Sequence, residues 1–383
     1  MGLSGQKVIV VGGGIGGLAA ALCLRRAGAE VMVLEQSEAI REVGAGLQIS
    51  PNGVAVLRGL GLEAGLAKQA VRGRAVVLRD FAKGAQVLRL DLERLAPDQA
   101  YYFVHRADLI DLLAGAARDA GVQIRLSQKV EHVADGVVTQ SNGAQVQGDI
   151  VVGADGVHSV VRGVLNHADA AFFTGQVAWR GLVANDLGLG PEAQVFMGPG
   201  RHLVCYPLRG GKLVNLVAVE ERNAWVAEGW DYFDDPDNLR AAFAGFGGQA
   251  HALLSQVGKV GLWGLFRHPV AARWWGPGLA LVGDAAHPTL PFMAQGANMA
   301  LEDAWVLGDC LGSGQGLAEY QARRRARVVR VIAAANGNAW KYHLRPPLRG
   351  AAHLAMRLGG VLAPGRMLHQ FDWLYGVDVT RSE

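Results

Sequence analysis

Three short stretches of the chain carry residue types whose spacing could do chemistry. The first is "GGGIGG", where Gly12-x-Gly14-x-x-Gly17 separates the β-branched run "KVIVV" (Lys7 to Val11) from "LAAALCLRRAGA", a composition that favours a helix. Glycine at these places permits a tight turn, close approach of a pyrophosphate to the backbone, and close contact between helix and strand. The free N–H groups at the helix N-terminus add a partial positive charge for the phosphates. Glu35 closes the next apolar run, "EVMVLE", and can accept hydrogen bonds from a ribose diol. The pattern reads as a dinucleotide site, with a plain glycine turn in a βαβ unit as the alternative. It does not by itself separate NAD from FAD.

The second stretch is "GDIVVGADGVHSVVR", an apolar strand followed by Asp155-Gly156 and a helical segment carrying Ser159 and Arg162. The third is "GDAAHPTLPFMAQG". Here Asp284 follows the apolar run "GLALV", and a loop rich in Pro and Gly leads into a helix, "ANMALEDAWVLGDCL". A carboxylate at the end of a buried strand needs hydrogen-bonding partners. A strand, loop and helix built for stability alone explain the apolar ends better than they explain the acid. In "REVGAGLQISPNGVAVLRGLGL", Gly44 and Gly46 form a flexible turn and Pro51 starts a helix.

Taken in order, GxGxxG, "GADGVHSVVR" and "GDAAHPTLPFMAQGANMALEDA" resemble the three signatures of single-component FAD-dependent aromatic hydroxylases, over roughly residues 5 to 345. "GAGLQISPN" and "AQGANMALEDA" are most similar to the branch of salicylate, 3-hydroxybenzoate 6- and 6-hydroxynicotinate hydroxylases. The resemblance implies FAD held by Gly12, Gly14, Gly17 and Glu35, with NADH or NADPH as cosubstrate. It implies that Gly46 belongs to the cofactor site. It places Arg106, in "VHRADLIDLL", near the cofactor at the head of a helix, Asp155 beside FAD and the transient NAD(P)H site, and Asp284 on the ribityl chain. A helix cap at Asp155 and a surface salt bridge at Arg106 are the alternatives in isolation. The helix opening at Gly296, Ala297 and Asn298 would turn its positive end to the flavin pyrimidine edge, where the reduced ring is negative. Residues Pro288 to Gln295, with Pro291 and Phe292, would line the face that meets oxygen.

The elements that must position these residues follow from periodicity. "AQVFMG", "RHLVCYPLRG" and "KLVNLVAVEER" alternate apolar and polar residues between glycine turns, as antiparallel strands do. The expected fold is α/β: a Rossmann-like, p-hydroxybenzoate hydroxylase-like FAD-binding domain made of residues 1–71, 93–165 and 272–315. Residues 72–92 and 166–271 form an inserted, mostly antiparallel substrate sheet, and 316–383 a C-terminal helical region. Period-two alternation puts His202, Val204 and Tyr206 on one face. The resemblance makes His202 and Tyr206 candidates to contact a phenol or pyridinol ring and remove its hydroxyl proton; an ordinary sheet histidine and a core tyrosine are the alternative. Gln48 reaches the same cavity. Gln48 and Phe292 each stand where the 6-hydroxynicotinate branch has His, which favours a less polar ring. Arg180, in "AWRGLV", is a carboxylate ligand or an internal ion pair.

Composition narrows the classes. A chain of 383 residues, 50% hydrophobic and 19% charged, suits one large or two closely joined globular domains, and a net charge of +3 demands no nucleic acid. Cys23, Cys205 and Cys310 are widely separated, with no metal-ligand spacing, so no metal is expected. "KVIVVGGG" lacks a signal-peptide pattern and no apolar run reaches about 18 residues, so a cytoplasmic protein without a membrane span is expected. The basic run "ARRRARVVR" reads as a solvated or domain-bridging helix, or a dock for NAD(P)H. Trp373 and Tyr375 suggest a tail that packs on the body, on a second subunit as in a homodimer, or on a membrane surface. No WxWxIP halogenase segment is present, and Trp179 replaces the His of a Baeyer–Villiger FxGxxxH motif. The reading is a monooxygenase that uses NAD(P)H and O2, through a flavin C4a-hydroperoxide, to hydroxylate a small phenolic or carboxylated aromatic. Alternatives are a hydroxylase of a larger phenol, polyketide or quinone precursor, and a non-oxygenating flavin reductase or sensor.

Overall fold

Lys7–Val11 pairs in parallel with Glu30–Leu34 on one side and Ile150–Gly153 on the other. Its last four residues are buried, as expected of a strand covered on both faces. These three strands centre a six-stranded sheet that continues through Leu279–Leu281 to a short antiparallel edge, Trp275–Gly276, and ends on the other side at Gln123–Arg125. This computed structural model describes residues 2–39, 46–96, 98–166, 171–222 and 232–381; Gly44 lies outside the described residues.

Helix Ile15–Arg26 packs against helix Gly296–Gly312 at close range. A Cβ on Gly308 would stand 2.7 Å from Cys23 Cβ, so glycine is what lets the two backbones meet. The late motif is thereby fixed over the early one.

A second sheet has eight strands, in the order 233–234, 260–267, 172–184, 213–221, 201–208, 192–198, 75–80, 86–91. Six of its seven strand pairings are antiparallel, and Ala75–Asp80 joins Glu192–Gly198 in the one parallel pairing. Leu203 and Cys205 face a core with Trp179, Phe243 and Leu253. His202, Val204 and Tyr206 face the opposite way, toward a cavity. A three-stranded patch, with Gly46–Ile49 and Val71–Arg72 on either side of Tyr102–His105, closes one end.

The C-terminal helices Leu348–Leu362 and Pro364–His369 pack on strand Gln86–Asp91. The protein is thus a mixed α/β fold with a Rossmann-like layer, a largely antiparallel sheet and C-terminal helices.

The basic run lies in the helix Gly316–Tyr342 and is solvated in part: Arg323, Arg325 and Arg330 are exposed. Arg324 is only 1% exposed and Arg327 is nearly buried; both turn inward rather than into solvent. Arg324 pairs with Glu302 at 2.5 Å and Asp303 at 2.8 Å, and Arg327 with Glu302 at 2.7 Å. The run holds five arginines, and nothing in it marks Arg324 and Arg327 as the two that Glu302 and Asp303 on helix Gly296–Gly312 neutralise. The tail packs on the body: Leu374 is buried, and Arg330 lies 4.2 Å over the Trp373 ring.

Candidate active site

A cavity of about 530 Å³ lies between the two sheets. One end is the glycine turn. Gly12 has φ +105°, and a Cβ there would be 2.4 Å from the Ala154 carbonyl oxygen. A Cβ on Gly17 would be 2.0 Å from the Gly12 carbonyl oxygen, so neither position admits a side chain. Gly14 differs. It lines the cavity, and a Cβ on it meets no atom within 4 Å. The turn is therefore tight underneath and open above, which is the shape a pyrophosphate needs. Glu35 braces this turn: it accepts hydrogen bonds from the Gly13 N–H at 2.7 Å and the Ser37 N–H at 2.8 Å.

The middle of the cavity is lined by Arg106, Asp284, Gly296 and Ala297. Arg106 opens helix Arg106–Asp119, and Gly296 opens helix Gly296–Gly312. Asp284 has exposed surface, but that surface opens on the cavity and protein closes around the rest. Desolvation raises its pKa, with His287 and Arg106 pulling the other way. Burial lowers the pKa of Arg106, and Asp284 opposes that shift. A carboxylate, a guanidinium and a helix N-terminus thus converge on one polar pocket. An acid raised by desolvation is a good acceptor for ligand hydroxyls.

A buried network holds this loop. Asp303 accepts from the Gly283 N–H at 3.0 Å and sits 2.5 Å from His287 Nε2. Those partners and Arg324 depress its pKa to about 2, against the desolvation of its site. Glu302 adds the Asn52 amide at 2.6 Å, and Asn52 also donates to Gln295. Asn298 belongs to the same scaffold. Its amide donates to the Gln48 and Ala294 carbonyls and accepts from the Ser50 N–H, so its side chain ties two loops together. Asp155 accepts from Ser159 and from the Val160 N–H at 2.7 Å, at the start of helix Val160–Leu165. Burial raises its pKa and these bonds oppose the rise.

The far end of the cavity, the ring end, is more apolar and is lined by aromatic side chains. Tyr206, Arg180, His202, Gln48 and Phe292 line it, with Val217, Val219 and Leu290 as apolar walls. Tyr206 is buried against Phe103 at 5.3 Å, and burial pushes its hydroxyl well above the usual tyrosine range. Arg180 lies 4.5 Å over the Trp263 ring, its pKa lowered to about 10 by burial. A Cβ on Gly46 would be 2.6 Å from the Tyr206 ring, so the first loop presses directly on the ring end. The Tyr101 hydroxyl donates to Gln48 Oε1 at 2.8 Å and turns that side chain.

One cavity therefore gathers Gly14, Gly46, Gln48, Arg106, His202, Tyr206, Asp284, Pro291, Phe292, Gly296 and Ala297. Gly12, Gly17, Glu35, Asp155 and Asn298 stand behind it and shape the turns that face it. Sequence reasoning missed the contribution of the C-terminal region: Tyr342, Met356, Met367, Phe371 and Tyr375 close the ring end. No local spacing marks them: four lie on C-terminal helices and Phe371 in the turn between two of them, with no motif around any. All three cysteines are free and buried, and among the described residues no cluster could hold a metal. No described helix is long and apolar enough to cross a membrane.

Fold and site together define a flavin-binding oxidoreductase: an open glycine turn, an acid and a helix N-terminus lining one polar stretch of the cavity, and a largely apolar far end. The chain belongs to the FAD-binding-domain family, whose model matches residues 6–335, and it is an FAD-dependent monooxygenase of the aromatic hydroxylase type. It is 35% identical to a 3-amino-4-hydroxybenzoate 2-monooxygenase of Streptomyces cremeus, over 97% of this chain and 95% of that one. It is also 35% identical to a 3-hydroxybenzoate 6-hydroxylase of Polaromonas naphthalenivorans, over 97% of this chain and 96% of the relative. The Klebsiella pneumoniae protein HpxO, solved with FAD and uric acid, superposes with a TM-score of 0.81 at 29% identity, covering 95% of this chain and 96% of its own.

Proposed function

We propose that the protein hydroxylates a small aromatic acid bearing a ring hydroxyl, using NADH or NADPH and O2. The observation that carries this reading is the trio at the ring end: a half-buried guanidinium, Arg180, with the buried Tyr206 and His202 on the same cavity wall. The two curated relatives act, by their names, on hydroxybenzoates, which join a carboxylate and a hydroxyl on one ring.

The protein's own groups divide the work. Gly14 and the turn around it take the pyrophosphate, and Asp284, Arg106 and the helix at Gly296 take the sugar chain and the flavin edge. FAD, when bound, supplies reduction by the nicotinamide and the activation of dioxygen. Arg180 orients the substrate carboxylate, a charge match worth more in this water-poor site than at a surface. Tyr206 stays protonated across the physiological range because burial raises its pKa, so it donates to the substrate hydroxyl. His202 stays neutral because burial lowers its pKa, so it accepts that hydroxyl's proton. Loss of the proton makes the ring a better nucleophile. Val217, Val219, Leu290 and Phe292 keep water from the reacting carbon.

The test is NAD(P)H oxidation with product identification over a panel of salicylate, 3-hydroxybenzoate, amino-hydroxybenzoates and the matching uncharged phenols. The acids should stimulate oxidation and yield ring-hydroxylated product, and the uncharged phenols should do so far less. A panel in which no acid yields product, or in which uncharged phenols match the acids, refutes the reading. A second reading, a larger phenol, is favoured by the apolar side chains Met356, Met367 and Phe371, which extend the ring end.

A further inference from the structure

His202 does not end at the cavity. Its Nδ1 lies 2.7 Å from His343 Nε2, and His343 Nδ1 lies 3.0 Å from Glu221 Oε1. Both histidines are buried, at 2% and 4% exposure, whereas the Glu221 side chain is 39% exposed and also accepts from Arg345 at 3.1 Å. The three groups make an unbroken line from the cavity wall to solvent.

Hydrogen-bond chemistry fixes the protons along it. A carboxylate only accepts, so His343 carries its proton on Nδ1 and gives that bond to Glu221. His343 Nε2 is then an acceptor, so His202 must donate from Nδ1. His202 Nε2 is left with a lone pair, and His202 lines the cavity. The arrangement presents a base inside and an acid outlet outside. The surroundings leave both histidines neutral. Burial lowers the pKa of both histidines, and at His343 Glu221 works against that. Packed around them are Tyr342, 5.2 Å from the His202 ring, Phe292 at 5.8 Å, and Lys341 on the cavity wall. Glu220 is held by Arg201 at 2.9 Å and Arg222 at 3.3 Å, and is no competitor for the proton.

We propose that His202, His343 and Glu221 form a proton relay that carries the substrate's hydroxyl proton from the buried cavity to solvent. This rests on the hydroxylase reading above. The substrate O–H bond breaks, its electron pair stays on oxygen, and the proton goes to His202 Nε2. The Nδ1 proton of His202 passes to His343 Nε2, and the Nδ1 proton of His343 passes to Glu221 Oε1 and on to water. The same path runs in reverse when the product hydroxyl is reprotonated. His202 is the residue that meets the substrate; His343 and Glu221 act through it.

The probe is 4-hydroxy-3-nitrobenzoate, whose phenolate is coloured. It is mixed with the FAD-loaded protein without NAD(P)H, in weak buffer with a pH indicator. The relay requires phenolate formation matched by proton release to solvent. Both should slow about a hundredfold in His343→Gln and in Glu221→Gln, the lower end of the effect of a positioned proton carrier. Bound FAD content serves as the check that each variant is folded, and Glu221→Gln, at a half-exposed site, is the variant least able to disturb packing. Two results overturn the relay: folded variants that ionise the probe as fast as the parent, or a parent that binds the probe without ionising it. Hydroxylation of the acid panel is scored separately. Intact ionisation without hydroxylated product sinks the functional reading and leaves the relay standing.

Discussion

Replacing Arg324 by leucine should damage the protein in a way that can be worked out from its neighbours. Arg324 is fully buried and serves two acids. Glu302 would keep Arg327 and Asn52, so most of the cost falls on Asp303, left with His287 and the Gly283 N–H. Removing one partner of a buried ion pair costs about 3–5 kcal/mol. Unfolding entropy of about 2.1 cal/mol/K per residue, over 383 residues, gives about 0.8 kcal/mol/K. The unfolding midpoint of Arg324→Leu should therefore fall by about 4–6 °C. Because Asp303 also holds the turn at Gly283, which leads directly into Asp284, FAD should dissociate more readily. The assay is thermal unfolding of the FAD-free protein, followed separately by titration with FAD. Adding Asp303→Asn to Arg324→Leu should recover part of the loss, since the stranded charge is gone. An Arg324→Leu protein with unchanged midpoint and unchanged FAD affinity would show that the network is not what holds the loop.

Other outcomes follow from the same geometry. In Gly17→Ala, the new Cβ meets the Gly12 carbonyl oxygen, and FAD affinity by fluorescence titration should fall at least tenfold, about 1.4 kcal/mol; normal affinity would mean the turn can relax. Arg180→Gln should raise KM for aromatic acids about tenfold to a hundredfold while sparing FAD content, and equal losses for uncharged phenols would remove Arg180 from carboxylate recognition. Asp303 has its folded pKa at about 2, below its ordinary 3.8, so its contribution to stability is present above pH 4 and is lost as pH falls toward 2. The acid limb of a stability profile should show that loss in the parent and less of it in Asp303→Asn; superimposable limbs would contradict the assignment.

Much of this fold could be read from local patterns. Gly12, Gly14 and Asp284 announce themselves because each sits in a turn that leaves an apolar strand, and Gly17 because it falls in the first turn of the helix that follows, where residue type is dictated by neighbours in the chain. The facing of His202 and Tyr206 could be read because strand alternation is a local rule. What stayed hidden depends on distant partners. His343 and Glu221 are 122 residues apart, and His343 and His202 are 141 apart, so no spacing joins them. Within the basic run, Arg324 and Arg327 could not be told from their exposed neighbours, because charge is visible in a sequence and neutralisation is not. Asn298 sits in a motif that resembles a cofactor site, yet its side chain is spent on the Gln48 and Ser50 backbone, which lie 250 and 248 residues away.

The walls of the ring end come from two sources with separate histories in the chain. The glycine turn, Arg106 and Asp284 belong to the elements proposed to hold the nucleotide, whereas Met356 and Met367 hang from the C-terminal helices Leu348–Leu362 and Pro364–His369, and Phe371 from the turn that follows them. Substitutions in that tail can change which molecules fit without disturbing the machinery that holds the coenzyme. A library confined to those few positions is the economical place to look for new regioselectivity.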